Sequence, residues 1–440
     1  MLVLWLILSV FAILVLTVRV GLHPFIALLL VALAYGFLAG MPMDAIIASV
    51  NEGFGKTLGG IGLLIVLGVI IGTFMENSGA AYAIADWVLS KVGRKRVPQS
   101  MGLMGYMVSI PVFADSGFLL LQPLNKCLCK KANISLAGSA IALAMGLTAS
   151  HTMVPPTPGP IAAAGILDAD LGIVLAIGIP VSLFALSMAL LFATYYVART
   201  HIDPNPELNE QQLATIHLNA PPVLTASLPI LVPISLILLR SFAEALNWQG
   251  NVAEMVKFVG TPFVALLIGV FLSLFLPKKL NRDMLSSNGW VGKAMANSAS
   301  IILITGAGGI FGKMLQNSGI ADLLGTMLSD INLGIFLPFL LAAAIKSAQG
   351  SSTVALITTA SIMAPLATTL GFVDDAQKAM LVIAIGAGSA VVSHANDSFF
   401  WVVTQMSGMD VKQGYRLHSL GTLILGVSAV SGLFILNMVL

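Results

Sequence analysis

Four ionisable side chains lie inside otherwise apolar stretches of this 440-residue sequence: Asp115, His151, His394 and Asp397. A charged group inside a membrane-spanning stretch is costly, so it is usually kept for a function. Histidine changes charge near neutral pH, and an inward-facing carboxyl can be tuned to exchange a proton in the same range. We therefore predict that these four residues carry a proton. Asp115 and Asp397 are favoured, because a neutralised carboxyl no longer repels an arriving anion.

A second group of residues has the types that bind a carboxylate. Gly350-Ser351-Ser352-Thr353 follows an apolar run, and Lys346 precedes it by about one helical turn. A helix that begins in this segment offers an anion free backbone N–H groups, the positive end of its dipole and several hydroxyls. The segment is therefore predicted to bind the carboxylate of a substrate. Further predicted substrate-binding residues are Ser116, Gly117, Thr157, Gln349 and Asn396.

Each ionisable residue also has a purely structural interpretation. His151 and His394 are equally consistent with a hydrogen bond to a neighbouring backbone carbonyl. Asp115 and Asp397 have the type that caps helices, and a lysine such as Lys346 can extend its amine to a membrane surface. These alternatives stay open at the level of the sequence.

The elements that must position these residues are apolar segments with four interruptions, at 113–118, 150–160, 346–353 and 393–398. Irregular backbone at membrane depth is tolerated only where protein or a water-filled cavity covers it. Paired interruptions of this kind are typical of transporter binding sites near the middle of the bilayer.

The composition is that of a helical membrane protein. Hydrophobic residues make up 58% of the chain and charged residues only 9%, whereas a soluble domain has about 25% charged residues. Apolar stretches near the length of about 20 residues that crosses a bilayer recur along the chain. We predict a multi-pass protein of the bacterial inner membrane, with the lipid bilayer as its main partner and no nucleic-acid partner. No metal-ligand spacing occurs, so no metal or other cofactor is expected.

Four motifs recur in order in the second half of the chain. His23, Gly55, Asn77 and Ser150 each begin a short stretch that returns 238, 237, 240 and 243 residues later, respectively. Collinear matches at a nearly constant offset indicate an internal repeat. The predicted division is a first transmembrane repeat at 1–200, a polar linker at 201–220 and a second transmembrane repeat at 221–440.

The distribution of basic residues predicts the orientation of the repeats. Each repeat is predicted to cross the membrane five times and to contain one re-entrant hairpin, which does not cross. Because five is an odd number, the second repeat is inverted relative to the first. With the N-terminus outside, 15 of the 21 Lys and Arg residues fall on the cytoplasmic side, as the positive-inside rule requires. The predicted fold class is therefore an all-α polytopic membrane protein with two inverted-topology repeats and re-entrant hairpins.

The same segments resemble the gluconate permease (GntP) family of gluconate:proton symporters, which includes permeases for other sugar acids and for D-serine. The resemblance covers essentially the whole chain. Its motifs are Pro-Phe-Ile-Ala-Leu at 24–28, Asn-Ser-Gly at 77–79, Pro-Pro-Thr-Pro-Gly-Pro at 155–160, Gly-Ser-Ser-Thr-Val-Ala at 350–355 and Ser-His-Ala-Asn-Asp at 393–397. The resemblance implies an inverted-repeat ion-transporter fold, with hairpin tips that meet at a central site for a small anionic sugar acid.

Three departures from the family pattern fall in this site. Thr157 stands where the family usually has histidine, Lys346 where arginine is common, and Ser116 where valine is usual. A point charge replaces a bidentate guanidinium at the second position. The departures leave the substrate open between gluconate, a related sugar acid, another hydroxy acid and D-serine.

Other function classes fit the sequence less well. An intramembrane enzyme needs a nucleophile–base pair or a metal triad, and no such motif occurs, so the chain is not expected to be an enzyme. A channel is disfavoured because inverted repeats with hairpins suit alternating access. Sodium coupling stays open as the alternative to proton coupling, and so does assembly of several copies.

Overall fold

The computed structural model describes residues 2–92, 96–204, 220–246, 248–320, 333–394 and 397–438. Within these ranges the chain is almost entirely helical and contains no strand. The helices of the first half are α1 (Leu2–Val18), α2 (Pro24–Leu38), α3 (Met43–Ser78), α4 (Ala80–Val92), α5 (Val97–Ser109), α6 (Ala114–Ala132), α7 (Leu136–Met153), α8 (Pro158–Ile166) and α9 (Leu171–Tyr195).

The second half also combines long helices with short, broken ones. Its helices are α10 (Val223–Ala245), α11 (Asn251–Val259), α12 (Pro262–Ser273), α13 (Arg282–Leu285), α14 (Trp290–Asn317), α15 (Phe336–Gln349), α16 (Ser352–Met363), α17 (Asp375–Ala390), α18 (Ser398–Met406), α19 (Val411–Gln413) and α20 (Leu420–Asn437). A π-helical segment, Gly414–Ser419, leads directly into α20.

All four predicted interruptions are boundaries between helices, and the local sequence explains them. Three prolines near 155–158 prevent α7 from running on into α8, because proline has no backbone N–H to donate. Gly350 ends α15 in the left-handed region, at φ +91°, which other residues rarely adopt. Ser351 then begins α16 by accepting a hydrogen bond from the backbone N–H of Val354 at 3.3 Å.

The broken ends of the two halves pack against each other. α8 contacts α16, and α6 contacts α18, so each interrupted segment of one half meets an interrupted segment of the other. α7 and α17 flank this region, and α7 is buried along almost its whole length. Irregular backbone is therefore enclosed by protein, as the hydrocarbon environment requires.

Several helices have the length and composition of membrane spans. Within the described residues, five are long and apolar enough to cross a bilayer, or up to seven if each of two bent pairs is one span. The predicted fold class of a polytopic, all-helical protein with broken pairs is confirmed. The count of ten crossings and the repeat boundaries stay predictions, and most of the proposed linker lies outside the described residues.

Several helix pairs approach so closely that backbone touches backbone, among them α5 with α7 and α3 with α14. A Cβ atom on Gly146 of α7 would lie 1.9 Å from the carbonyl oxygen of Gly102 in α5, and one on Gly53 of α3 would lie 2.5 Å from the carbonyl oxygen of Gly309 in α14. Small residues allow such contact, which is a common way for helices to associate inside a membrane. We call these the α5–α7 and α3–α14 glycine contacts.

Candidate functional site

A cavity of about 310 Å³ lies where the broken helices meet. The helix ends around it belong to α6, α15, α16 and α18, with α7, α17 and α20 behind them. Its lining residues are Phe113, Ala114, Asp115, Thr148, His151, Lys346, Gly350, Ser351, Ser352, Thr353, Ala390, Ser393, Asp397, Ser398, Phe399 and Thr422. Eight of the residues that the sequence singles out are among them.

A buried ion pair dominates the electrostatics of the cavity. Lys346 Nζ in the last turn of α15 lies 2.6 Å from Asp397 Oδ2, and the two side chains are 2% and 8% exposed. Lys346 also donates a hydrogen bond to the carbonyl oxygen of Gly350. Asp397 caps α18 by accepting the backbone N–H of Phe399 on Oδ1 at 3.0 Å. Each buried charge thus has the partner that burial demands.

The Asp397 carboxylate is also the end of a chain of hydrogen bonds. The hydroxyl of Ser393 donates to Asp397 Oδ2 at 2.5 Å, and Ser393 Oγ lies 3.1 Å from Nε2 of His418. His418 is fully buried in the π-helical segment before α20. The sequence assigned His418 no role, because it stands at the predicted end of an apolar span.

Asp115 and His151 bring further polar atoms to the cavity. Asp115 is the second residue of α6, and its carboxyl group hydrogen-bonds Ser398. Among the described residues, neither Asp115 Oδ1 nor His151 Nδ1 has a hydrogen-bond partner, although both atoms are buried. A buried polar atom without a partner is costly, so both are available to a ligand, a water molecule or a proton.

Three helices begin at the cavity wall, and they differ in charge. The N-terminus of α6 carries Asp115 and that of α18 is capped by Asp397, whereas α16 has no acidic residue in its first turn. The positive end of α16 is therefore not neutralised by a carboxylate of its own. Within the described part of the chain, the hydroxyls of Ser352 and Thr353 beside it make no hydrogen bond to protein.

Four predicted residues lie outside the cavity lining. The Ser116 hydroxyl hydrogen-bonds Glu76, and Gly117 packs so closely that a Cβ would lie 2.6 Å from Leu147 Cδ2. Their predicted roles in binding stay predictions, and their contacts in this structure are structural.

The other two are Thr157, which donates to the carbonyl oxygen of Val154 at 2.6 Å, and His394, whose Nε2 lies 2.7 Å from the carbonyl oxygen of Ser347. The His394 contact is the backbone hydrogen bond named as its structural alternative. The side chain of Gln349 and the whole of Asn396 lie outside the described residues.

Sequence reasoning missed several hydroxyls of the cavity. Thr148 precedes His151 by three residues on α7, and helical spacing places the two on one face. Ser393 and Ser398 flank the interruption at 393–398. Thr422 had no signal, because only the packing of α20 against α17 brings it to the site.

Comparison with known proteins places the chain in a family. The model of the GntP family permease matches residues 1–439. A gluconate permease of Pseudomonas aeruginosa is 34% identical over 98% of this chain and 96% of its own length. The inner membrane permease YgbN of Escherichia coli is 33% identical over 95% of this chain and 94% of its own length. The D-serine transporter DsdX of the same organism is 34% identical over 99% of this chain and 98% of its own length.

A solved structure shares the fold. The YdaH transporter of Alcanivorax borkumensis, whose crystal structure is described as having an unusual topology, superposes with a TM-score of 0.68 at 15% identity, over 95% of this chain and 99% of its own. The family match, the identities above 30% and the apolar helices lead to one assignment. This chain is a multi-pass inner-membrane transporter that belongs to the GntP permease family.

Proposed function

We propose that this permease takes up gluconate or a closely related small sugar acid together with protons. The observation that carries the proposal is the buried Lys346–Asp397 ion pair at the wall of a hydroxyl-rich cavity. One basic and two acidic side chains among hydroxyls match a substrate that has one carboxylate and several hydroxyl groups. The P. aeruginosa relative, named a gluconate permease, supports this choice.

The cavity has the dimensions and donors for such a substrate. Its volume of about 310 Å³ is near the lower end of small-molecule sites, which span about 300–1,000 Å³. The carboxylate fits the N-terminus of α16, where Ser352 and Thr353 add hydroxyl donors and Lys346 is adjacent. Thr148 and Asp115, which also line the cavity, are then partners for the substrate hydroxyls.

Proton coupling follows from the charge balance of the site. An anion that enters a negative-inside cell works against about 2.3 kcal/mol per charge per 100 mV of membrane potential, and a co-transported proton removes that charge. Protonation of Asp397 also leaves the Lys346 ammonium without its carboxylate partner. The ammonium then attracts the substrate anion, so the proton and the substrate favour each other's binding. Asp115 is the second candidate proton carrier.

D-serine is a second candidate substrate. The E. coli relative named a D-serine transporter is as similar to this chain as the gluconate permease. An amino acid also carries an ammonium group, and Asp115 Oδ1, which accepts no hydrogen bond from the described residues, is an acceptor for it at the cavity wall. This candidate predicts that Asp115→Asn weakens binding of D-serine more than binding of gluconate.

Transport by the purified protein in proteoliposomes tests both candidates. Uptake of gluconate, related sugar acids, other hydroxy acids and D-serine is measured with an inward pH gradient, with an inward sodium gradient, and with neither. The proposal expects concentrative uptake of a sugar acid that needs the pH gradient and is indifferent to sodium. Uptake driven by sodium alone, or of D-serine alone, contradicts it.

A further inference from the structure

We propose that His418 is the residue through which the coupled proton leaves Asp397 toward the cytoplasm. The inference rests on the proposed proton coupling and assigns a role to a residue outside the cavity lining. His418 Nε2, Ser393 Oγ and Asp397 Oδ2 form a continuous chain with contacts of 3.1 and 2.5 Å. All three side chains are at most 8% exposed, so water does not compete for these hydrogen bonds.

The chain has a defined direction when Asp397 is ionised. Asp397 Oδ2 accepts both the Lys346 ammonium and the Ser393 hydroxyl. The single hydroxyl proton of Ser393 points to Asp397. The Ser393 oxygen must therefore accept a hydrogen bond from the N–H group at His418 Nε2. The neutral imidazole therefore carries its proton on Nε2, and its Nδ1 is left as an acceptor. Among the described residues Nδ1 has no partner, although it is buried.

Hydroxyl groups of residues that follow His418 in the chain fix this geometry. The Ser419 hydroxyl donates to the carbonyl oxygen of Ser393 at 2.5 Å, and the backbone N–H of Ser393 donates to Thr422 Oγ1 at 3.1 Å. Three residues of the 418–422 stretch thus hold Ser393. His418 itself lies in the π-helical segment Gly414–Ser419, and single π-helical turns inside α-helices are frequent at functional sites.

Proton transfer along the chain balances with water as the final proton acceptor. The ring of His418 first passes from the Nε2–H to the Nδ1–H tautomer by proton exchange with water, which leaves Nε2 able to accept a proton. Protonated Asp397 then gives its proton to Ser393 Oγ while the Ser393 hydroxyl proton passes to His418 Nε2. The resulting imidazolium releases its Nδ1 proton to water and is left in the Nε2–H form. The net change is the movement of one proton from Asp397 to water, and the arrangement seen in the structure is restored.

The direction of release follows from the residues around His418. Arg416 and Lys412 precede it in the chain and are exposed, and the charge bias of the sequence places both on the cytoplasmic side. The charged groups nearest its ring are Asp397 and Lys346, and α7, which packs against the π-helical segment, carries His151. The rings of Phe399 and Phe400 lie 5.6 and 6.1 Å from the imidazole centroid, so Nδ1 meets water only when this packing loosens.

The decisive variant is His418→Gln. A glutamine amide can still donate a hydrogen bond to Ser393 but cannot relay a proton, so it separates a structural role from a transfer role. We expect substrate counterflow close to wild type and pH-driven accumulation reduced about tenfold or more. His201→Gln, an exposed histidine outside the site, is the matched control and keeps both activities.

The results separate this inference from the proposed function. Wild-type protein that shows no pH-driven uptake refutes the proposed function. If a pH gradient drives uptake by the wild-type protein and the His418→Gln variant accumulates substrate equally well, the relay alone is overturned. A folded His418→Gln variant that also loses counterflow overturns the relay as well. Ser393→Ala removes the middle hydroxyl of the hydrogen-bond chain and is an independent test. An unchanged ratio of accumulation to counterflow in this variant contradicts the relay.

Discussion

Lys346 and Asp397 are 51 residues apart in the chain, yet their side chains join the end of α15 to the start of α18 through a 2.6 Å contact. The ion pair therefore connects two of the four helix interruptions. While both side chains are ionised, each is the ion-pair partner of the other. Substitution of one residue therefore changes the electrostatic environment of the other residue and of both helix ends.

The ion pair predicts a non-additive effect on stability. Lys346→Met leaves a buried carboxylate without its partner and should lower the stability of the folded protein by about 3–5 kcal/mol. The double variant Lys346→Met/Asp397→Asn removes both charges and should recover much of this loss. Thermal unfolding in detergent measures both, and equal melting temperatures of the single and double variants would contradict the coupling.

The two carboxylates are predicted to couple transport to protons. Asp397→Asn and Asp115→Asn should keep substrate counterflow and lose accumulation driven by a pH gradient, because an amide cannot release a proton. The measurement compares the two assays in the same proteoliposomes. If both variants still concentrate substrate, the carboxylates are not the proton carriers, and His151 and His394 become the next candidates.

Two neighbouring serines are predicted to act differently. Ser351 caps α16 through the Val354 N–H, so Ser351→Ala should reduce stability by about 1 kcal/mol. Ser352 lines the cavity without a hydrogen bond to the described residues, so Ser352→Ala should weaken substrate binding by roughly 2- to 10-fold, as expected for one hydrogen bond, and leave stability unchanged. Binding affinity and melting temperature of both variants test the distinction, and unchanged affinity in both would remove α16 from the binding site.

The α5–α7 glycine contact predicts a strong effect of one methyl group. Gly146→Ala places a Cβ 1.9 Å from the Gly102 carbonyl oxygen and should cost at least about 1–3 kcal/mol of stability. Gly55→Ala is the matched control, since a Cβ on this helical glycine meets nothing within 4 Å. The yield and melting temperature of the folded protein should fall for the first variant only.

Local sequence predicted the interruptions better than the contacts made there. Proline clusters, glycine and hydroxyl residues break a helix wherever they stand, so the four boundaries and residues such as Asp115 and Lys346 could be found without a structure. Ser116 could not be placed, because one step along α6 turns a side chain by about 100°, away from the cavity and toward Glu76. His418 and Ser393 meet only through the packing of distant helices, which no local pattern records.

The glycine contacts also limit how this protein can move. Where backbone lies on backbone, one helix cannot slide past the other without first separating, because no flexible side chains are present to yield. The α3–α14 glycine contact joins a helix of the first half to one of the second, whereas the α5–α7 contact lies within the first half. Each pair should therefore travel as one rigid body, so we expect the hinges that expose the cavity to alternate sides of the membrane to lie outside these two contacts.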